Sequence, residues 1–172
     1  QDKIDNKEEL YEEAVSKLQN KLLISIIFAI PLLYVAMGHM MNLWLPAIIN
    51  PHHENDLNYA FAQIILTVPI LWAGRNFFIK GYKNLIHKVP SMDSLIAIGV
   101  TSAVAYGLFA TYKVFQGNKE FAMDLYFESA GVIITLILLG KLLEAKTKGQ
   151  TSSAIKKLIG LQPKTATIID IN

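Results

Sequence analysis

Apolar residues in this chain gather into long runs separated by short charged stretches. Between Lys21 and Glu54 there is no Asp, Glu, Lys or Arg, and the same holds from Leu57 to Gly74 and from Ser94 to Tyr112. A helix crosses the hydrocarbon core with about 20 mostly apolar residues rising about 1.5 Å each. The pattern therefore predicts transmembrane helices over 22–41, 57–74 and 92–114, and a fourth over 123–143. The fourth is the least apolar, because Glu128 lies inside it and Lys141 near its end. Pro31 and Pro69 fall within spans, where membrane helices tolerate proline.

Helical periodicity continues outside the spans. In residues 1–21, Ile4, Leu10, Ala14 and Leu18 recur at roughly helical spacing, and Glu8, Glu9, Glu12 and Glu13 precede Lys17 and Lys21 in the order that suits the helix dipole. This reads as a lead-in helix on the cytosolic side, with a solvated linker as the other reading. Over 75–89 the pattern becomes amphipathic. Phe78, Tyr82, Leu85 and Val89 fall on one face and Lys80, Lys83 and His87 on another, as in a helix lying at the bilayer surface. Pro90 ends it. Residues 144–160 continue the fourth span into water, with Gly160 as a stop. Gln162-Pro163 breaks the pattern, and Thr165–Ile171 reads as a strand opening a further domain within 161–172. The fold class expected is all-α transmembrane: four spans plus an amphipathic helix on the cytosolic face, ending at the start of a β-rich domain.

Cation placement sets the orientation. Lys3, Lys7, Lys17 and Lys21 precede the first span, and Arg75, Lys80, Lys83 and Lys88 lie between the second and third. Lys141, Lys146, Lys148, Lys156, Lys157 and Lys164 follow or close the fourth, whereas the two opposite loops hold only Lys113 and Lys119. The positive-inside rule then places both ends in the cytosol, which requires an even number of crossings. The protein is expected to be multi-pass in the plasma membrane. A net charge of +2 with no concentrated basic surface argues against a nucleic-acid partner. The absence of cysteine removes disulfide and thiolate-metal chemistry from this stretch. The first apolar run begins too late and runs too long for a signal-peptide core, and Gln1 at the start points to a segment of something longer.

A carboxylate inside a span is costly unless it faces protein, water or a cation. Glu128 therefore reads either as a ligand on an ion path or as a residue close enough to the outer interface to be solvated. Glu144, beside Lys141 and Lys148, is an ion-path candidate or a plain surface ion pair. Met92 opens the third span, and a thioether there suits Cu(I) or ordinary packing. Met37, His39, Met40 and Met41 gather at the outer end of the first span, with His52 and His53 in the next loop. They form either a soft-metal site or interface packing. No phosphate-cradling GxxxxGK[ST], HExxH or GxSxG motif is present, so no catalytic residue is expected within the chain.

Three stretches carry a resemblance: Ala73-Gly74-Arg75-Asn76-Phe77-Phe78 through Ser91-Met92-Asp93-Ser94-Leu95; Tyr126-Phe127-Glu128-Ser129-Ala130 with Leu139-Gly140-Lys141-Leu142-Leu143-Glu144; and Leu161-Gln162-Pro163-Lys164-Thr165. Together they resemble the heavy-metal P-type ATPases, closest to the bacterial copper exporters, over nearly the whole chain. The resemblance implies two class-specific helices followed by the first two helices of the common P-type core. The Ala73-Gly74 step matches the family's kink, where relatives often have two glycines. Residues 75–89, with Arg75, Lys80, Lys83 and Lys88, match a platform that receives copper from a chaperone or a cytosolic metal-binding domain. Met92 and Glu144 match entry positions for Cu(I), Glu128 an exit position, and Thr165–Ile171 the first strand of the actuator domain. The family's Cys-Pro-Cys, Thr-Gly-Glu and Asp-Lys-Thr-Gly-Thr motifs are absent from these residues. ATP and Mg2+ would thus act only in the full-length parent, together with its remaining domains. Two other readings stand beside Cu(I) export: a pump for Ag(I), Zn(II) or Cd(II), and a non-enzymatic four-helix scaffold or channel.

Overall fold

A computed structural model describes residues 2–38, 41, 44, 46, 49 and 56–160. Five helices follow one another: α1 (Asp2–Gly38), α2 (Asp56–Ala73), α3 (Arg75–Ile86), α4 (Met92–Phe115) and α5 (Phe127–Gly160), with a short 3-10 turn at Lys119–Met123 before α5. Four of these segments are long and apolar enough to cross a membrane, and α3 is not among them. The chain is accordingly a multi-pass, all-α membrane protein. The strand expected at Thr165–Ile171 lies outside the described residues.

The first and last helices each join a spanning part to a polar extension without a break. α1 has 37 residues, about 55 Å at helical rise and well beyond the ~30 Å hydrocarbon core. Its polar start runs beside the polar end of α5, where the Tyr11 hydroxyl donates to the Ala145 carbonyl. Within the bundle, α5 packs on α1, α2 and α4, while α3 packs chiefly on α4. Leu32, Ile70, Ile134 and Leu138 fill the centre, each 1% exposed or less. Most other large apolar side chains point outward, as a lipid-facing surface requires. Where hydroxyls are buried they are paired: Ser25 and Thr135 bridge α1 and α5 at 2.6 Å, and the Tyr59 hydroxyl donates to the Ala36 carbonyl at 3.1 Å.

Between α4 and α5 the chain turns over a small apolar and aromatic cluster. Ala122, Leu125 and Phe127 are buried. Gly107 is needed beneath them, since a Cβ there would lie 2.3 Å from the Leu125 carbonyl oxygen. Tyr106 meets Tyr126 edge-on at 5.3 Å, and Phe109 meets Phe121 at 6.2 Å.

Candidate functional site

The opposite end of the bundle gathers most of the candidate residues. α2 stops at Ala73 and α3 starts at Arg75, so the chain turns at Gly74. The turn is tight: the Gly74 N–H donates to the Ile70 carbonyl at 3.0 Å, and the Phe77 N–H donates to the Gly74 carbonyl at 2.9 Å. Gly74 itself keeps an ordinary right-handed backbone, φ −83 and ψ 0. Its lack of a Cβ serves close packing, because a Cβ would come within 2.8 Å of Ile134 on α5. Ala73 remains helical and buried, so one glycine is enough for the break.

α3 has three faces. Phe77 and Gly81 are its buried residues, one position away from the apolar face read in the sequence: Gly81 lies against α4, and Phe77 lines a cleft with Leu18 of α1 and Leu138 of α5. A Cβ on Gly81 would lie 2.3 Å from the Asp93 carbonyl oxygen, so the two helices touch backbone to backbone. The Ser94 hydroxyl donates to the Gly81 carbonyl at 2.9 Å, and the Asn84 amide donates to the Ser91 hydroxyl at 2.9 Å. Ile79, Tyr82 and Ile86 form an exposed apolar row, which suits a helix lying on hydrocarbon. Lys80, Lys83 and His87 form the exposed basic side.

The helix ends at Ile86, short of residue 89. The Lys88 N–H donates to Leu85 and the Val89 N–H to Asn84, both at 3.0 Å. That is the Schellman arrangement, and it puts Lys88 in the left-handed region with φ 58. Pro90 drives the change, since it disfavours helical geometry at Val89.

Met92 is the first residue of α4 and is 58% exposed. Glu144 lies on α5 past its apolar run. Its carboxylate accepts from Lys148 at 2.6 Å and from Lys141 at 3.4 Å. The hydrogen bond from Lys148, followed by that from Lys141, holds the carboxyl below the usual carboxylate range. A cleft of about 380 Å³ brings Glu144 together with Asp93, the neighbour of Met92. Lys21, Lys80, Lys141 and Lys148 also line it, over a floor that includes Leu18, Phe77 and Leu138. Sequence reasoning singled out Glu144 and Lys80 but assigned no role to Lys21 or Asp93. These two come from helices distant in the chain, and only the packing of α1, α3, α4 and α5 brings them together.

Glu128 sits in the first turn of α5, half-buried, with the Ser129 hydroxyl 3.3 Å from its carboxylate. The helical rise separates it from Glu144 by about 24 Å, so the two cannot bind one ion together. Among the described residues, no three His, Asp or Glu side chains converge as a metal site. Met37 and Met41 are exposed. His39, Met40, His52 and His53 lie outside the described residues.

Several curated proteins are similar to this chain. It is 39% identical over 163 residues, 94% of its length, to a copper-exporting P-type ATPase of Staphylococcus haemolyticus, covering 19% of that protein. It is 41% identical over 153 residues, 87% of its length, to copper-transporting ATPase 1 of Rhizobium meliloti, covering 18% of it. A copper-exporting P-type ATPase of Bacillus subtilis is 38% identical over 154 residues, again 87% of the chain and 18% of the relative. The chain thus spans about a fifth of the length of the curated relatives it matches. No family model matches it, and no solved structure does. Similar along nearly all its length to copper-transporting members, and built as four apolar helices with an amphipathic helix after the second, this chain belongs to the heavy-metal P-type ATPases as a segment of their membrane domain.

Proposed function

We propose that the chain is the amino-terminal half of the membrane domain of a Cu(I)-exporting P-type ATPase. In the whole protein, phosphoryl transfer from ATP with Mg2+, on domains outside this segment, drives copper outward. The observation that carries the reading is the similarity to copper-named pumps along 87% to 98% of the chain. Geometry adds support: Asp93, next to Met92, lines one cleft with Glu144, while Glu128 lies about 24 Å away along α5. Met92 supplies a soft thioether and Glu144 a carboxylate at the entry, and Glu128 assists release at the far side. A thioether favours Cu(I) or Ag(I) over Zn(II) or Cd(II). The exposed cations of α3 and its cap (Arg75, Lys80, Lys83 and Lys88) suit docking of an acidic copper donor, either a chaperone or a cytosolic metal-binding domain. Both termini lie in the cytosol, as the cation bias implies, and a pump that exports copper from the cell sits in the plasma membrane.

The test is turnover of the full-length protein with Met92→Ala and, separately, Glu144→Gln. Each is expected to reduce Cu(I)-stimulated ATP hydrolysis at least tenfold, equivalent to about 1.4 kcal/mol of lost transition-state stabilisation. Unchanged copper dependence in both would remove the entry role.

A further inference from the structure

The cleft between α1, α3 and α5 holds more positive charge than its acids can neutralise. Glu144 is taken by Lys141 and Lys148. Asp93 sits in the first turn of α4, where the helix dipole favours an anion. Lys21 and Lys80 also line the cleft, and among the described residues neither is in an ion pair. Two cations thus converge on the cleft, one from the start of the first span and one from α3.

The level of this cluster in the membrane is marked independently. The Arg75 guanidinium lies over the Trp72 ring at 5.2 Å, and that ring is 57% exposed. An exposed tryptophan with a stacked arginine, one residue from the end of a span, belongs at the headgroup level. Lys21 immediately precedes the apolar run that begins at Leu22. Leu18, Ala73, Phe77 and Leu138 give the cleft an apolar floor, while the row of Ile79, Tyr82 and Ile86 lays α3 along the hydrocarbon boundary.

We infer that Lys21 and Lys80 form a binding site for the phosphodiester of an anionic phospholipid, whose glycerol and upper acyl chain rest on the apolar floor. A lipid fits better than a protein segment because the cations and the apolar walls meet at the level where phosphates of the bilayer lie. Arg75, Lys83 and Lys88 do not line the cleft and stay available to a soluble donor. The inference does not depend on which metal is carried.

The test uses the full-length protein purified in detergent, titrated with dioleoyl phosphatidylglycerol, with phosphatidylcholine of the same chains and with inorganic phosphate, and read by native mass spectrometry. Phosphatidylglycerol is expected to bind more tightly than phosphatidylcholine by about fivefold per lysine engaged, the size expected of a cation at an anionic surface. Lys21→Gln with Lys80→Gln removes the preference; Lys21→Arg with Lys80→Arg keeps it, as does Lys113→Gln at the other end of the bundle. If the double glutamine variant does not fold, Lys80→Gln alone, at an exposed position, must still reduce the preference. Equal binding of the two lipids would overturn the inference. So would a preference that survives Lys80→Gln, or displacement of the lipid by low-millimolar inorganic phosphate. Unchanged lipid binding combined with weakened donor-protein binding would assign the cluster to the donor instead.

Discussion

The two ends of the bundle solve the same geometrical problem with opposite chemistry. At the α4–α5 corner the chain reverses over buried Ala122, Leu125 and Phe127, and α4 closes on Gly117 with φ 93. At the α3–α4 corner it reverses over Ser91, Ser94 and Asn84, and α3 closes on Lys88 with φ 58. Both closures are Schellman caps: the Gly117 and Asn118 N–H groups donate back to Val114 and Lys113, as Lys88 and Val89 do to Leu85 and Asn84. Glycine takes the left-handed residue at no steric cost, whereas lysine does not. The packed end holds its own non-glycine residue in this region, Tyr126 with φ 56, whose ring packs edge-on against Tyr106; at the other end the residue so held is Lys88, an exposed cation. One side chain is held there for packing and the other for charge, as expected where a surface must meet ions or partners.

Substitutions can break this contrast. The largest effect is expected at the α4–α5 corner. Phe127→Ala empties a site only 1% exposed and is expected to cost about 3–5 kcal/mol, read by unfolding in mixed micelles. A cost near zero would mean that the corner is not packed as described. Next comes Gly81→Ala, which sets a Cβ against the α4 backbone. It is expected to cost about 1–3 kcal/mol, with α3 lifted from α4. Cross-linking between cysteines introduced into α3 and α4 should become less efficient. The smallest effect sharpens the comparison most. Lys88→Gly is expected to stabilise by about 1 kcal/mol and Gly117→Lys to destabilise by a similar amount. Equal and negligible shifts would remove the claim that the basic end gives up stability for charge.

Much of the architecture was legible because a membrane imposes a strong pattern. The stretches free of Asp, Glu, Lys and Arg mark three spanning helices, and the even-crossing requirement supports the fourth despite Glu128. The helix after the second span was legible as amphipathic, but its buried row was not. Phe77 and Gly81 face the protein, Gly81 because it permits backbone contact with α4, and periodicity alone does not distinguish a row facing protein from one facing lipid. Met92, Glu128 and Glu144 stood out through residue type and resemblance. Lys21 did not, because a lysine just ahead of a span looks like any flanking cation. Its meaning arises only when α3 brings Lys80 into the same cleft. The one-residue left-handed cap at Lys88 was equally hidden, since nothing in a lysine signals a positive φ.

The central claim is that this segment serves an ATP-driven Cu(I) pump. The most direct measurement is ATP hydrolysis by the full-length protein in liposomes, with Cu(I) under reducing conditions compared with Zn(II). Stimulation by Cu(I) and not by Zn(II) is the result expected if Met92 and Glu144 form the proposed entry. Stimulation by Zn(II) alone, or none by either metal from a protein shown to be folded, would contradict it.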